Sequence, residues 1–131
     1  MPRSLSRLDS LRHALRGLAL VLRTQRNAWI HAAVSALVIG VGLWLRISTH
    51  DWADLLLAIG LVWMAEFLNT ALEAVVDLAS PAAHPLARAG KDIGAAAVVI
   101  AALTAAGVGG MILGPPIWLR LGLDRFLGQG P

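Results

Sequence analysis

Cysteine and tyrosine are absent from this chain, phenylalanine occurs only twice, and no more than 15% of the residues are charged. Without cysteine there can be no disulfide and no thiol chemistry. So little charge, beside 57% hydrophobic residues in a chain of 131, does not suit a small soluble domain, which needs far less apolar surface. What is present instead is apolar sequence in long blocks, at 28–45, 53–76 and 93–113. Each is near or above the ~20 residues that cross a ~30 Å hydrocarbon core as a helix. The chain therefore reads as a single all-α integral membrane domain over 1–131. It has transmembrane helices at about 28–46, 53–79 and 93–113 and a tail at 114–131. Pro115-Pro116 is expected to end the third helix. The first apolar block follows a long Arg-rich segment with no small-residue cleavage site, so no cleavable signal peptide is expected.

Residues 4–27 carry a different pattern. Leu5, Leu8, Leu11, Leu15, Leu18 and Leu22 recur at three- and four-residue steps with arginines on the remaining faces. That is the signature of an amphipathic helix lying on a membrane surface. The placement of the cations sets orientation. Arg3, Arg7, Arg12, Arg16, Arg23 and Arg26 precede the first span, and Arg88 and Lys91 fall between the second and third. Only Arg46, Arg120 and Arg125 lie on the other side. This bias puts the N-terminus and the second loop in the cytoplasm. Attraction to anionic lipid explains the same arginines, and no nucleic-acid partner is expected. Trp29, Trp44, Trp52 and Trp118 sit at span ends as an aromatic belt, while Trp63 falls mid-span. The alanines of span three (Ala95, Ala96, Ala97, Ala101, Ala102, Ala105, Ala106) allow close helix approach.

The residues least at home in this composition are the acids of the second span. Glu66, Asn69, Thr70, Glu73 and Asp77 follow one another at offsets of 3, 4, 7 and 11 from the first. At helical spacing they occupy one stripe about 100° wide. A charge at membrane depth costs roughly 3 kcal/mol or more, so such residues mark a pathway or a site. Toward the cytoplasm the stripe meets the short loop 80–85, which includes His84, and then Gly90-Lys91-Asp92. If the third helix opens there, a cation beside a helix N-terminus makes a seat for phosphate. Carboxylates that hold a metal, a cation on the phosphates and a base near an accepting hydroxyl are what phosphoryl transfer from a magnesium nucleotide requires. Buried carboxylates equally suit an ion or proton relay. With no Walker A loop and no protein-kinase motif, the residues alone leave these two readings level.

The string E-x-x-N-T-x-x-E-x-x-x-D over 66–77, followed by His84-Pro85-Leu86-Ala87 and Lys91-Asp92-Ile93-Gly94, resembles the prokaryotic diacylglycerol kinase and undecaprenol kinase family. The likeness extends from about residue 10 to 104 and takes in Gly17-Leu18 and the Arg26-Asn27 and Ile30-His31 stretch. It implies a homotrimeric bundle with three spans and a surface helix per subunit, in the bacterial inner membrane. It also implies transfer of the γ-phosphate of MgATP to a lipid alcohol, in sites on the cytoplasmic side shared between subunits. By motif position, Glu66 would be the general base and Glu73 the magnesium ligand. Asn69 would support that shell, and Glu73, Asp77, His84, Lys91 and Asp92 would contact the nucleotide. Just before Arg26-Asn27 the family pattern has a glutamate that helps bind metal. This chain has Gln25, so no metal role is carried to it. The stretches around Gln25, Val76 and His84 resemble the undecaprenol kinase branch more than the diacylglycerol kinase branch, which favours undecaprenol as acceptor.

Overall fold

A computed structural model describes residues 7–122. Four helices follow in order: α1 (Arg7–Thr24), α2 (Arg26–Leu45), α3 (Thr49–Ala79) and α4 (Pro85–Arg120). No strand occurs among the described residues. The last three are long and apolar enough to cross a membrane, so the chain is a three-span helical membrane protein with an N-terminal helix. Leu8, Leu11, Leu15 and Leu18 of α1 are exposed, and Val21 near its end is buried. The apolar stripe of α1 is thus left open, as an interfacial helix requires. Leu5, Arg3 and Arg125 lie outside the described residues.

The helix ends follow local chemistry. Gln25 breaks α1 from α2 with an extended backbone and caps α2 without a side-chain bond. Arg46 closes α2 in the left-handed conformation, at φ 55°. Ser48 then starts α3 with a capping box: its hydroxyl accepts from the Asp51 N–H, and Asp51 accepts from the Ser48 N–H. His84 starts α4, its Nδ1 accepting from the Leu86 N–H, with Pro85 at the first helical position.

Two expectations about the third span are corrected here. α4 begins at Pro85, not at 93, and runs through Pro115-Pro116 to Arg120, so 114–120 is helix and not tail. The prolines remove only the bonds to the carbonyls of residues 111 and 112, one turn from the helix end, and the Leu121 N–H still reaches Ile117 O. At 1.5 Å per residue α3 and α4 measure about 46 and 54 Å. Both therefore exceed a ~30 Å hydrocarbon core, and a hydropathy block marks less than the helix it belongs to.

α3 and α4 make the principal pairing. A small core of Leu45, Leu55 and Leu113, flanked by Val38, Val41 and Ile112, closes the end of the bundle away from α1. Gly42 lets Trp52 pack there: a Cβ at Gly42 would stand 2.9 Å from the indole. Trp52 thus packs within the protein, whereas Trp29 and Trp44 are exposed as belt residues are. Within the most apolar stretch of each span only 17–22% is buried by the chain itself. The remaining apolar surface requires a non-aqueous surrounding.

Candidate functional site

The polar stripe of α3 divides into three pairs, at successive heights. Deepest is Glu66, 2% exposed and, among the described residues, the one charged side chain that is buried. Its Oε2 faces Nε2 of His31 on α2 at 3.6 Å. Neither atom has a hydrogen-bond partner. Trp63, one turn earlier on α3, meets the His31 ring edge-on with centroids 6.3 Å apart. Its Nε1 donates to Ser35 Oγ at 3.2 Å. The mid-span tryptophan therefore locks α2 to α3 beside the acid. Glu66 is enclosed within one chain, whereas Glu73 is half-buried and Asp77 exposed.

One turn along, Asn69 donates from Nδ2 to Glu73 Oε1 at 3.1 Å. Thr70 does not join the site, because its hydroxyl donates to the Glu66 carbonyl within the helix. Asn69 Oδ1 is buried and unpartnered, set against Gly94 of α4, where a Cβ would overlap the amide oxygen. Gly94 is what allows the two long helices to meet at this level. Glu73 is half-buried. At 1.5 Å per residue it lies about 10 Å along the helix from Glu66.

At the mouth, Lys91 of α4 pairs with Asp77 of α3, Nζ to Oδ1 at 2.5 Å, with the side chains 38% and 65% exposed. Residues 76–77, the loop from Ser80 to His84, Arg88 and Lys91 line an open cavity of about 610 Å³. Lys91 stands nearly two turns inside α4, so the phosphate seat expected from a helix opening at Gly90 is not found there; the helix opens at Pro85, which has no N–H, and the Leu86 N–H is taken by His84 Nδ1. Asp92 turns toward Arg88, 4.0 Å away and well exposed, so this chain does not bring it to the Asp77–Lys91 pair. Gln25 lies at the α1–α2 junction, half-buried.

Among the described residues no three His, Asp or Glu side chains converge as a preformed metal cage. Glu73 nevertheless offers a hard oxygen ligand steadied by the Asn69 amide. Magnesium is commonly held by one or two carboxylates, with phosphate and water completing the shell. The donor set fits that ion.

The prokaryotic diacylglycerol kinase model matches residues 12–113 of this chain. The chain belongs to that family. It is 39% identical to an undecaprenol kinase of Bacillus subtilis over 105 residues, covering 80% of this chain and 85% of that protein. It is 42% identical to a diacylglycerol kinase of Synechocystis over 111 residues, covering 84% and 63% respectively. With a diacylglycerol kinase of Escherichia coli it shares 36% over 87 residues, 61% of this chain and 71% of that one. His31, Trp63 and Gly94 shape the site but were not assigned roles from sequence.

Proposed function

We propose that this family member transfers the γ-phosphate of MgATP to the hydroxyl of undecaprenol, with diacylglycerol as the poorer acceptor. The coarser class, an ATP-dependent lipid kinase, follows from the family. The observation that carries the assignment is the graded stripe: a buried acid, a half-buried acid and an exposed acid–lysine pair on one continuous line. Such a line suits an acceptor whose tail is in lipid and a nucleotide that arrives from water. An apolar cavity of about 460 Å³ between α2, α3 and α4 reaches His31 and is lined by Val34, Val62 and Ala105 among others. That cavity offers hydrocarbon a place beside the deep acid.

In this reading Glu66 takes the proton of the acceptor hydroxyl at a carboxylate oxygen. The freed alkoxide electron pair forms the bond to γ-phosphorus, and the bond to the bridging oxygen breaks with its pair leaving on ADP. Lys91 turns from Asp77 to the phosphates. Exposed ion pairs are worth about 0–1 kcal/mol, whereas a charge-assisted bond to phosphate is worth about 1.5–3 kcal/mol, so the exchange is downhill. His84, Arg88 and the 80–84 loop bound the nucleotide; Asp92 joins from its exposed side. Glu73, oriented by Asn69, would hold magnesium, which neutralises charge on the triphosphate. Gln25 in place of an acid leaves this chain with one fewer negative charge for that purpose.

We place the protein in the bacterial inner membrane with the mouth facing the cytoplasm, as the arginine bias indicates. It works as a homotrimer whose sites are composite. The largely uncovered spans and the small-residue face of α4 support that assembly. Acceptor preference is tested by comparing kcat/KM for undecaprenol and diacylglycerol in the same mixed micelles. An equal or higher value for diacylglycerol refutes the preference.

A further inference from the structure

Two buried polar atoms in this protein lack partners and face each other: Nε2 of His31 and Oε2 of Glu66. At 3.6 Å they are in ion-pair range and a few tenths of an ångström beyond a hydrogen bond. A histidine serving only to pack would have its nitrogens satisfied elsewhere, since unpaired polar atoms in an apolar interior are strongly unfavourable. The imidazole is also not free to leave. Trp63 meets its ring at an interplanar angle of 66°. The Trp63–Ser35 bond anchors the indole one helical turn along α2 from His31. Phe67 packs against the indole as well, ring centroids 6.2 Å apart. The arrangement presents one nitrogen of a fixed ring to one oxygen of the acid.

We propose that His31 is a positioning residue for the base: its Nε2–H donates to Oε2 of Glu66 and turns the carboxylate so that Oε1 receives the acceptor proton. The proposal rests on the reading of Glu66 as general base. His31 gives up no proton in the step. It holds the oxygen that stays unprotonated, and the balance of bonds is unchanged. Its value lies in orientation, because a misplacement of about 1 Å at a reacting group can cost on the order of 10²-fold in rate.

The experiment measures kcat and the KM for MgATP in four variants of the full chain: His31→Leu, His31→Gln, Glu66→Gln, and His31→Leu combined with Glu66→Gln. His31→Leu keeps the packing and removes the donor, so kcat falls roughly 10²-fold while KM for MgATP is unchanged. Gln carries an N–H that can reach the place of Nε2, and His31→Gln recovers most of the loss. In the Glu66→Gln background, His31→Leu costs less than about twofold, because no base remains to be oriented. The same fold-loss in both backgrounds, or equal losses for Leu and Gln, overturns the proposal in favour of a structural role. If His31→Leu does not fold, His31→Asn replaces it. Its N–H falls short of Oε2, so its turnover lies well below that of His31→Gln, and equal turnover overturns the proposal. Normal turnover of His31→Leu beside an inactive Glu66→Gln sinks this inference and leaves the base standing. An active Glu66→Gln sinks the base itself.

Discussion

Replacing Glu66 by Gln changes one atom in the most enclosed polar position of the protein, and chemistry and stability are expected to move in opposite directions. The amide has the shape of the carboxylate, so the contacts of a side chain only 2% exposed are kept. What is lost is a proton acceptor. Removing a positioned general base costs about 10²–10⁴ in rate, or about 3–5.5 kcal/mol of barrier. What is gained is the removal of a charge from membrane depth, where each costs roughly 3 kcal/mol on insertion scales. The Glu66→Gln protein should thus fold and assemble at least as well as the parent, by thermal unfolding in detergent. Its lipid phosphorylation, followed with radiolabelled ATP, should fall by at least a hundredfold. Affinity for MgATP should hold, since the residues proposed to hold the nucleotide begin about 10 Å along the helix. Near-normal turnover in a well-folded Glu66→Gln protein would refute the base. Loss of turnover accompanied by loss of folding would show that the acid is structural.

Further outcomes follow from the other pairs. Glu73→Gln should raise the magnesium requirement and weaken MgATP together, read from KM at varied magnesium; unchanged values for both make Glu73 a structural acid. Lys91→Ala should raise KM for MgATP about tenfold or more, whereas Asp77→Asn, which merely releases the lysine, should have a much smaller effect. Gly94→Ala puts a methyl group on the Asn69 amide and should destabilise the protein by roughly 1–3 kcal/mol, measured as a lowered unfolding midpoint. If sites cross subunit boundaries, mixing inactive Glu66→Gln and Lys91→Ala subunits restores partial activity. No rescue in cross-linked trimers places each site within one chain.

The spans and the acidic stripe were legible in the sequence because both are one-dimensional. A bilayer demands continuous apolar length, and a helix turns a spacing of 3, 4, 7 and 11 into a single face. The true limits of α4 were not legible in the same way. Hydropathy reports apolar length alone, while Pro85 and His84 open a helix that starts ahead of its apolar block, and Pro115-Pro116 fall too near its end to stop it. Because α4 begins at Pro85, Lys91 lies in a helix interior and not at a helix opening. Any contact it makes with phosphate would come from its ammonium group, which here pairs with Asp77, and not from free backbone N–H groups. The His31–Glu66 contact and the Asn69–Gly94 approach join residues far apart in the chain, and no periodicity within one helix reveals them. Asp92 shows the converse: adjacency to Lys91 suggests a shared role, but neighbours on a helix face about 100° apart, and Asp92 turns to Arg88.

The most direct test of the account is label transfer by the purified full-length protein in mixed micelles with MgATP carrying label at the γ-position. Undecaprenol or diacylglycerol serves as acceptor, separated by thin-layer chromatography. The account predicts labelled lipid phosphate that depends on magnesium and on Glu66, with more product from undecaprenol. Proton conductance in liposomes with no labelled lipid from either acceptor would contradict it and favour an ion relay along the same acids.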